Sequence, residues 1–333
     1  MNESGPQEFS RPRSIDGAEV KYRRTVADRQ RAAQRLLMSA VDESYDGDLD
    51  IDWDGDVDPE LDWLPERLSA LYGTDIWREL SASERRELGR HELVNLLSFA
   101  VYAETTLTLL LFRDLAEHRE LVDDVTRWAL KAIEEETRNS SMFSRLINKA
   151  GLPIYRRPTA VQLLAKTVLL TPAGVFGRGS ILMVQEAVHS LAGAMADDPS
   201  VQRHVRQLMR IHEASGTRHI EFSRLELLRA ISAGNPAGTA VAGHLLALLV
   251  GFMYPMMLND KVFQDCGIDA SRAHRAARDG EQFQLRARAM TDSFVRFALD
   301  VGLFRHRGER WLLRRFRIWP PDVPDDIAGW AAN

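Results

Sequence analysis

The chain has 333 residues, of which 45% are hydrophobic, so it can bury a large core in one big helical domain or two smaller ones. Its formal net charge of −5 at pH 7 gives no overall attraction to nucleic acid or to an anionic membrane. The single cysteine, Cys266, excludes an intramolecular disulfide, and the first residues lack the apolar core of a secretory signal. These features predict a cytoplasmic protein that works on small molecules and holds any metal through nitrogen and oxygen ligands.

The N-terminal part of the chain is predicted to lie outside the main helical domain. Residues 1–25 have the composition of a disordered arm, and residues 26–80 are predicted to form an N-terminal wrap. The acidic segment from Asp50 to Asp58 contains D-x-D-x-D-G, as in the first half of a calcium loop, but Leu61 stands where a bidentate glutamate is required. A solvated wrap therefore explains these residues better than a calcium site.

From about residue 81 the spacing of apolar residues becomes helical, and no Gly-rich phosphate loop is present, which indicates an all-α fold. A helical domain is expected over residues 81–304, followed by a C-terminal extension over residues 305–333. Four long helices are predicted at 81–117, 120–150, 179–195 and 201–232. Pro172 and Gly174 should divide the apolar segment between the second and third of these into shorter helices.

One uncharged stretch tests whether the protein is soluble. Residues 230–259 carry no formal charge and are long enough to span a bilayer. Pro236, His244 and Pro255 interrupt this stretch, so the continuous apolar helix is shorter than a usual membrane span. We therefore interpret it as a buried helix of a bundle, with a membrane helix as the alternative.

Acidic and histidine side chains fall on the inward apolar stripes of the four predicted helices. These are Glu104 on the first, Glu136 on the second, Glu186 and His189 on the third, and His212 and His219 on the fourth. Glu186 and His189 have the E-x-x-H spacing with which one helix offers two ligands to one metal. A buried carboxylate is unfavourable unless something positive compensates it. Several of them in one core therefore predict a metal cluster or the remnant of one.

Each inward residue also has a purely structural interpretation. A lone buried histidine is more often hydrogen bonded in the core than bound to a metal, and a buried glutamate is often paired with an arginine. Four arginines are available for such pairing: Arg138, Arg145, Arg203 and Arg218. Met142, Phe143 and Met183 could shape a substrate pocket or belong to an ordinary core.

The region from about residue 46 to 230 resembles the ferritin-like diiron oxygenases of the p-aminobenzoate N-oxygenase, or AurF-type, family. The family pattern is an isolated Glu on the first helix, D-E-x-x-H on the second, an isolated Glu on the third and H-x-x-x-E-x-x-H on the fourth. The matching text here is YAETTL, EEETRNSSMFSRLI, ILMVQEAVHSL and RIHEASGTRHIEFS. The resemblance implies an all-α, ferritin-like four-helix bundle core with additional helices.

Two positions depart from the family pattern. Asn139 stands where the family has a histidine ligand, and Gly216 stands where it has a glutamate that helps to bridge the two irons. The resemblance therefore implies one or two non-haem irons, according to whether the vacated position is rebuilt. His189 is absent from the pattern and could act as a substitute ligand. Glu135 and Glu213 could also substitute, although each is turned by about 100° from the inward stripe.

The ligands that the resemblance leaves in place favour one metal position over the other. Glu186, His212 and His219 have the composition of a two-histidine, one-carboxylate site for a single non-haem iron. Glu136 could add a fourth ligand, and Glu104 completes the set of inward metal-binding residues.

The resemblance implies a non-haem iron-dependent oxygenase that acts on a small organic molecule, by N-oxygenation of an amine or by attack on a C–H bond. Its partners would be dioxygen and an electron donor, and a homodimer is compatible with the chain. The alternative is a metal-depleted pseudoenzyme or partner subunit that keeps the fold. Neither nucleic acid nor a membrane is expected as a partner. The basic and aromatic residues between Arg305 and Trp319 could bind nucleic acid, but such a stretch more often packs on its own core or on a partner chain.

Overall fold

The structure is a computed structural model that describes residues 26–117, 123–171 and 174–323. Twelve α-helices and two short 3₁₀ turns form this part of the chain, which contains no strand. The prediction of an all-α fold is therefore confirmed. The disordered arm predicted over residues 1–25 lies outside the described residues.

The helices are numbered in chain order. They are α1 (Val26–Asp42), α2 (Asp75–Glu79), α3 (Ala82–Glu117), α4 (Asp124–Ala150), α5 (Thr159–Leu170), α6 (Val175–Ala196), α7 (Arg203–Ala233), α8 (Pro236–Met253), α9 (Asp260–Asp265), α10 (Ala270–Asp279), α11 (Glu281–Asp300) and α12 (Arg307–Arg315).

Four of these helices, α3, α4, α6 and α7, form the bundle core. The most extensive packing joins α6 to α7 and α3 to α4, and α4 also packs against α7. Leu97, Phe143 and Leu182 are among the largest side chains that this packing buries completely or almost completely. The four long predicted helices thus correspond to the four that enclose the inward carboxylates and histidines.

The ends of the bundle helices follow local signals in the sequence. Ser81 and Glu84 form a capping box, in which the Ser81 amide donates to Glu84 Oε2 at 2.8 Å and the Glu84 amide donates to Ser81 Oγ at 3.3 Å. The Asp123 side chain caps α4 by accepting from the Thr126 amide at 2.8 Å. Gly151 ends α4 with a φ of 68°, which a residue without Cβ adopts easily.

Helix α6 begins one turn earlier than the predicted start at residue 179. The glycines of the segment GVFGRGS argue against a helix there, because glycine lowers helix propensity. Gly179 is nevertheless helical and packs so closely on α8 that a Cβ at this position would lie 2.4 Å from Leu246 Cδ1. The close crossing of α6 and α8 therefore accounts for the glycine within the helix.

The N-terminal segment wraps one side of the bundle. Helix α1 packs on α4 and α7. Trp53 and Trp63 from the following loops and Trp77 from α2 are buried against the core. Lys149 fixes one loop to α4 by donating to the backbone oxygens of Trp53 at 2.7 Å and Gly55 at 2.8 Å. These contacts place the wrap over the outer faces of α4 and α7.

Two helices, α3 and α8, are long and apolar enough to cross a membrane by length and composition alone. About half of each apolar window is buried inside the protein, 44% for α3 and 50% for α8. The buried side of α8 packs against α6 and α12. Its other side carries apolar residues that are exposed to solvent.

The C-terminal extension is held against α8 by a buried charge and by aromatic packing. Glu309 of α12 is completely buried, and its Oε1 lies 2.8 Å from His244 Nδ1 of α8. The rings of Phe252 and Phe316 meet edge to face with centroids 5.1 Å apart. These contacts join α8 and α12 along their lengths.

Glu92 links the N-terminal wrap to α3 from a buried position. Its Oε1 accepts a hydrogen bond of 2.8 Å from the Ala70 amide, while its Oε2 has no partner. Burial raises the pKa of Glu92 from 4.5 to about 7, although hydrogen bonds from Ser69 and Ala70 and the nearby Arg286 act in the opposite direction. The ionised form of Glu92 therefore costs the folded state free energy.

This cost predicts that Glu92→Gln changes the free energy of unfolding in a pH-dependent way. The unfolded chain releases the Glu92 proton near pH 4.5, whereas the folded chain holds it to about pH 7, so ionisation destabilises the folded state as pH rises through this window. The variant should gain stability over the wild type between these values, by on the order of 3 kcal/mol above pH 7. Urea unfolding as a function of pH measures the difference.

Glu134→Gln is the matched control, because the Glu134 side chain is exposed. It should leave the stability curve parallel to that of the wild type. Parallel curves for Glu92→Gln as well would contradict the buried, proton-holding role of Glu92.

Candidate metal centre

The inward residues predicted from the sequence lie in the interior of the bundle. Glu104 on α3, Glu136 on α4 and Glu186 on α6 are at most 4% exposed, and His212 and His219 on α7 are each 5% exposed. All five face the interior because they occupy the stripe of each helix that packs on its neighbours. Their role as metal ligands stays a prediction. Their hydrogen-bond partners in the structure show which of their atoms are free to bind a metal.

His212 forms a buried pair with Glu104. His212 Nε2 lies 3.1 Å from Glu104 Oε1, and the Phe143 ring packs on the imidazole with centroids 5.3 Å apart. Burial lowers the pKa of His212 to about 4, and the attraction of Glu136 for the charged form does not overcome it. The neutral imidazole donates its Nε2 hydrogen to Glu104 and leaves Nδ1 unprotonated. Neither His212 Nδ1 nor Glu104 Oε2 has a hydrogen-bond partner.

His219 contacts two glutamates, one at each ring nitrogen. Its Nδ1 lies 2.9 Å from Glu136 Oε1, and its Nε2 lies 2.9 Å from Glu135 Oε2. Burial alone would lower the pKa of His219, but the two carboxylates outweigh it and raise the pKa to about 9. His219 is therefore a buried cation at neutral pH that donates to both glutamates.

Glu135 is the site residue that sequence reasoning placed wrongly, since its position out of phase with the stripe put it toward the flank. It is 1% exposed and accepts from Arg218 Nη2 at 3.0 Å as well as from His219. These two cations outweigh burial and lower the pKa of Glu135 to about 2. Arg218 was one of the four arginines that the sequence offered as partners for an inward glutamate. The burial of Glu135 could have been inferred from the run of three glutamates at 134–136, because α7 presents the two adjacent cations Arg218 and His219.

Glu186 is neutralised by an arginine that the sequence analysis did not consider. Arg224 Nε donates to Glu186 Oε1 at 2.8 Å, and Arg224 Nη2 donates to Ser293 Oγ of α11 at 2.8 Å. Burial raises the pKa of Glu186, and Arg224 opposes this shift. Arg224 follows Gly216 by about two helical turns on α7, so the two residues lie near the same stripe of the helix. This spacing could have identified Arg224 as a partner of an inward glutamate. Glu186 Oε2 has no partner.

His189 lies where a side chain at position 216 would begin. A Cβ on Gly216 would stand 3.0 Å from His189 Nδ1, and this nitrogen is buried without a hydrogen-bond partner. Burial lowers the pKa of His189, and nearby His212 lowers it further while Glu213 opposes the shift. The space that Gly216 leaves is thus partly taken by an imidazole.

Asn139 lies in the same interior. It is 1% exposed, and its side-chain oxygen has no hydrogen-bond partner. It is one turn before Phe143, which packs on His212. An amide oxygen without a donor in a dry core is costly unless something positive accepts its lone pairs.

A match to a family model adds to this geometry. The model of the family described as P-aminobenzoate N-oxygenase AurF matches residues 26–302 of the chain. The chain belongs to the AurF family. This is a family of ferritin-like, helical oxygenases of the diiron type, so the predicted ferritin-like bundle is confirmed. No curated protein matches the chain.

The side chains of this AurF-family member do not fit a two-iron centre. Asn139 and Gly216 cannot supply the histidine and glutamate ligands that the resemblance implies at these positions, and Glu186 Oε1 and both nitrogens of His219 have protein partners. Within residues 26–117, 123–171 and 174–323, no group of three or more carboxylate, imidazole or thiol side chains is arranged to hold a metal ion. Five buried atoms of ligand type on the inward residues have no hydrogen-bond partner: Glu104 Oε2, Asn139 Oδ1, Glu186 Oε2, His189 Nδ1 and His212 Nδ1. The side chains that carry them would have to rearrange before they could hold one cation, since His212 Nδ1 lies on the opposite edge of the ring from the nitrogen that contacts Glu104.

Two cavities in the described part of the protein differ in character. A cavity of about 260 Å³ is lined by residues of α1, α3, α4, α6 and α7 and contains Glu226, which accepts from Arg29 at 2.7 Å and lies 3.6 Å from Arg178. Its charges neutralise each other. A second cavity, of about 90 Å³, lies between α3, α5, α6 and α8 and is lined almost entirely by apolar side chains, among them Leu107 and Met183. The second cavity suits an apolar molecule better than the first.

The contact between His189 and Gly216 predicts a measurable coupling between the two positions. Gly216→Ala should gain up to about 1 kcal/mol of helix propensity, but the added Cβ forces His189 to shift. In a His189→Ala background the collision is removed, so the same substitution should stabilise the protein by about 1 kcal/mol more. Thermal or urea unfolding of the four proteins in the cycle gives this coupling energy.

Gly238→Ala is the matched control, since Gly238 lies near the exposed start of α8 and does not contact His189. It should be additive with His189→Ala. If Gly216→Ala is additive with His189→Ala as well, His189 does not occupy the space left by Gly216.

Proposed function

We propose that the protein is an oxygenase that uses dioxygen to oxidise a small organic molecule at one non-haem iron. The proposal rests on membership of a diiron oxygenase family and on one observation in this chain. Four buried ligating atoms, on Glu104, Asn139, His189 and His212, have no protein partner, although burial of such atoms is unfavourable. A cation bound after these side chains rearrange would satisfy several of them.

Glu104, His189 and His212 would hold the iron, with the Asn139 oxygen as a weaker fourth donor. Two imidazoles and one carboxylate are the ligand set that mononuclear non-haem iron oxygenases use. This assignment differs from the set of Glu186, His212 and His219 that the resemblance left in place, because Glu186 and His219 are engaged by other side chains. When bound, the iron supplies reductive activation of dioxygen, with electrons from an external donor.

The other buried residues prepare the site without touching the metal. Phe143 covers His212 on one side, and Met142 beside it is 2% exposed, so this part of the core is closed to water. Protonated His219 donates to Glu135 and to Glu136, so both carboxylates have a protein donor. Arg224 does the same for Glu186 Oε1.

The substrate we propose is a small and largely apolar molecule, bound in the cavity between α3, α5, α6 and α8. Ala103 and Leu107 line this cavity and flank Glu104 on α3, and Met183 lines it from α6. A volume of about 90 Å³ limits the substrate to a small body unless side chains move. Oxidation would fall on an amine nitrogen or a C–H bond that reaches the Glu104 side of this cavity. A cytoplasmic location and a homodimer remain part of the proposal.

A second function is favoured by a specific observation. Arg218, Arg224 and protonated His219 neutralise buried glutamates that iron would neutralise in the rest of the family. A chain that carries its own buried cations can fold without metal. The alternative is therefore a metal-free scaffold or partner subunit of the same fold.

Iron content separates these functions. The protein expressed in iron-replete cells should retain about one iron per chain, the number that one two-histidine, one-carboxylate site holds. His212→Ala and His189→Ala should each lower the iron content by more than about tenfold, because each removes a ligand. His244→Ala, which removes a half-exposed histidine of α8, is the matched control and should keep the iron.

Other stoichiometries would contradict the proposal in distinct ways. No retained iron would support the metal-free scaffold. About two irons per chain, with a bridged diferric absorption, would show that Glu135 or Glu213 rebuilds the second position. The triple change Asn139→His, His189→Ala and Gly216→Glu restores the family ligands and clears the space beside position 216. It should raise the iron content toward two if the vacated position can be refilled.

A further inference from the structure

Helix α8 carries a stripe of exposed apolar residues on the side that faces away from the bundle. Val241 is 60% exposed, Leu245 45%, Leu248 37% and Phe252 46%. Their spacing of four, three and four residues places them on one face of the helix. Helix α8 contains no charged residue over its whole length. Isolated exposed leucines are ordinary, but an aligned and uncharged row of this length marks an interaction surface.

Helix α12 lies beside this stripe and adds a basic and aromatic edge. Leu312 is partly buried, and Phe316 packs on Phe252, so these residues face α8. Trp311 and Arg315 fall on the outer side of α12, and the Trp311 side chain is 62% exposed. Tryptophan beside an apolar stripe is typical of the boundary between hydrocarbon and water.

The edge formed by α12 and the residues beside it is strongly positive. Residues 305–317 contain six arginines and one acid, Glu309, which is completely buried against His244. Arg307, Arg315 and Arg317 are exposed and pair with no acidic side chain in the described part of the chain. The edge is therefore positive although the protein as a whole has a net charge of −5.

We propose that the face formed by α8 and α12 binds the surface of an anionic lipid bilayer. This face, the α8–α12 face, comprises Val241, Leu245, Leu248 and Phe252 together with Arg307, Trp311 and Arg315. An apolar stripe buries its side chains at the acyl boundary, and the neighbouring arginines bind the acidic headgroups. The proposal departs from the expectation, drawn from net charge, that no membrane is a partner, because it rests on the local charge of this face.

Charge decides between a bilayer and a second copy of the chain. A symmetric dimer through this face would place the same uncharged and basic residues of two chains against each other, so the arginines would find no acidic partner in the contact. An anionic headgroup layer neutralises them instead. The stripe is mainly aliphatic, with Phe252 as its one aromatic side chain, so it lacks the row of aromatic rings on which the bases of a nucleic acid stack.

The position of the apolar cavity agrees with this orientation. Leu249 and Met253 of α8 line the cavity between α3, α5, α6 and α8. Leu248 and Phe252 precede each of them by one residue and belong to the α8–α12 face. The same helix thus borders both the proposed lipid surface and an interior space for apolar molecules. The membrane proposal does not depend on iron or on the proposed reaction.

Vesicle sedimentation with the full-length chain tests the proposal. The wild type should bind vesicles of phosphatidylcholine mixed with anionic phosphatidylglycerol, bind phosphatidylcholine alone much more weakly, and lose affinity as salt is raised. Leu245→Glu with Leu248→Glu should weaken binding at least about tenfold, because both side chains must enter the acyl boundary. Arg307→Glu with Arg315→Glu should weaken it by a similar factor.

Control variants make the same types of change elsewhere on the surface. Arg275→Glu with Arg278→Glu alters two exposed arginines of α10 by the same charge, and Leu49→Glu alters a leucine that is 83% exposed. Both controls should bind vesicles as the wild type does. All variants change exposed side chains, so their helix content and unfolding temperature should stay close to those of the wild type.

Three results would overturn the proposal. The first is no binding to anionic vesicles by the wild type. The second is equal loss of binding in the control variants, which would show only an effect of total charge. The third is a dimer in sedimentation velocity that Leu245→Glu with Leu248→Glu converts to a monomer while vesicle binding is absent, which would assign the face to a second copy.

Discussion

Carboxylates that lie within one dry helical core repel each other and lose their hydration, so each needs positive charge or a donor close by. In this protein Arg218 and His219 provide it for Glu135 and Glu136, and Arg224 provides it for Glu186. The family to which the chain belongs uses iron for that purpose. The arrangement of every other inward residue depends on how these charges are compensated.

The interior has two parts, which differ in whether the protein's own side chains neutralise or hydrogen bond the buried polar atoms. Around His219 and Glu186 most polar atoms have protein partners, and these residues are fixed in their positions. Around His212 the polar atoms of Glu104, Asn139 and His189 are left open. His189 belongs to this second part, and its Nδ1 lies only 3.0 Å from where a Cβ at position 216 would stand. A single cation there would complete the compensation that the protein provides elsewhere.

The helical bundle and its inward stripes could be predicted from the sequence because apolar periodicity and capping residues are local signals. The capping box of Ser81 and Glu84 and the stop at Gly151 are such signals, and they lie at predicted ends of the first two long helices. The partners of the buried charges could not be predicted in the same way. Glu186 and Arg224 are 38 residues apart on different helices, and a rotation of part of a turn decides whether Glu135 is buried or exposed. The spacing E-x-x-H did indicate His189, but only the packing shows that it fills the space beside Gly216.

The central claim is that one metal position, bounded by His189 and His212, replaces the two of the family. Anomalous diffraction at the iron edge, from crystals of protein purified from iron-replete cells, tests it most directly. The account predicts a single anomalous peak within coordination distance of His189, His212 and Glu104, while the His219 and Glu186 pairs stay intact. A peak between Glu186 and His219, or a pair of peaks bridged by Glu136, would contradict it.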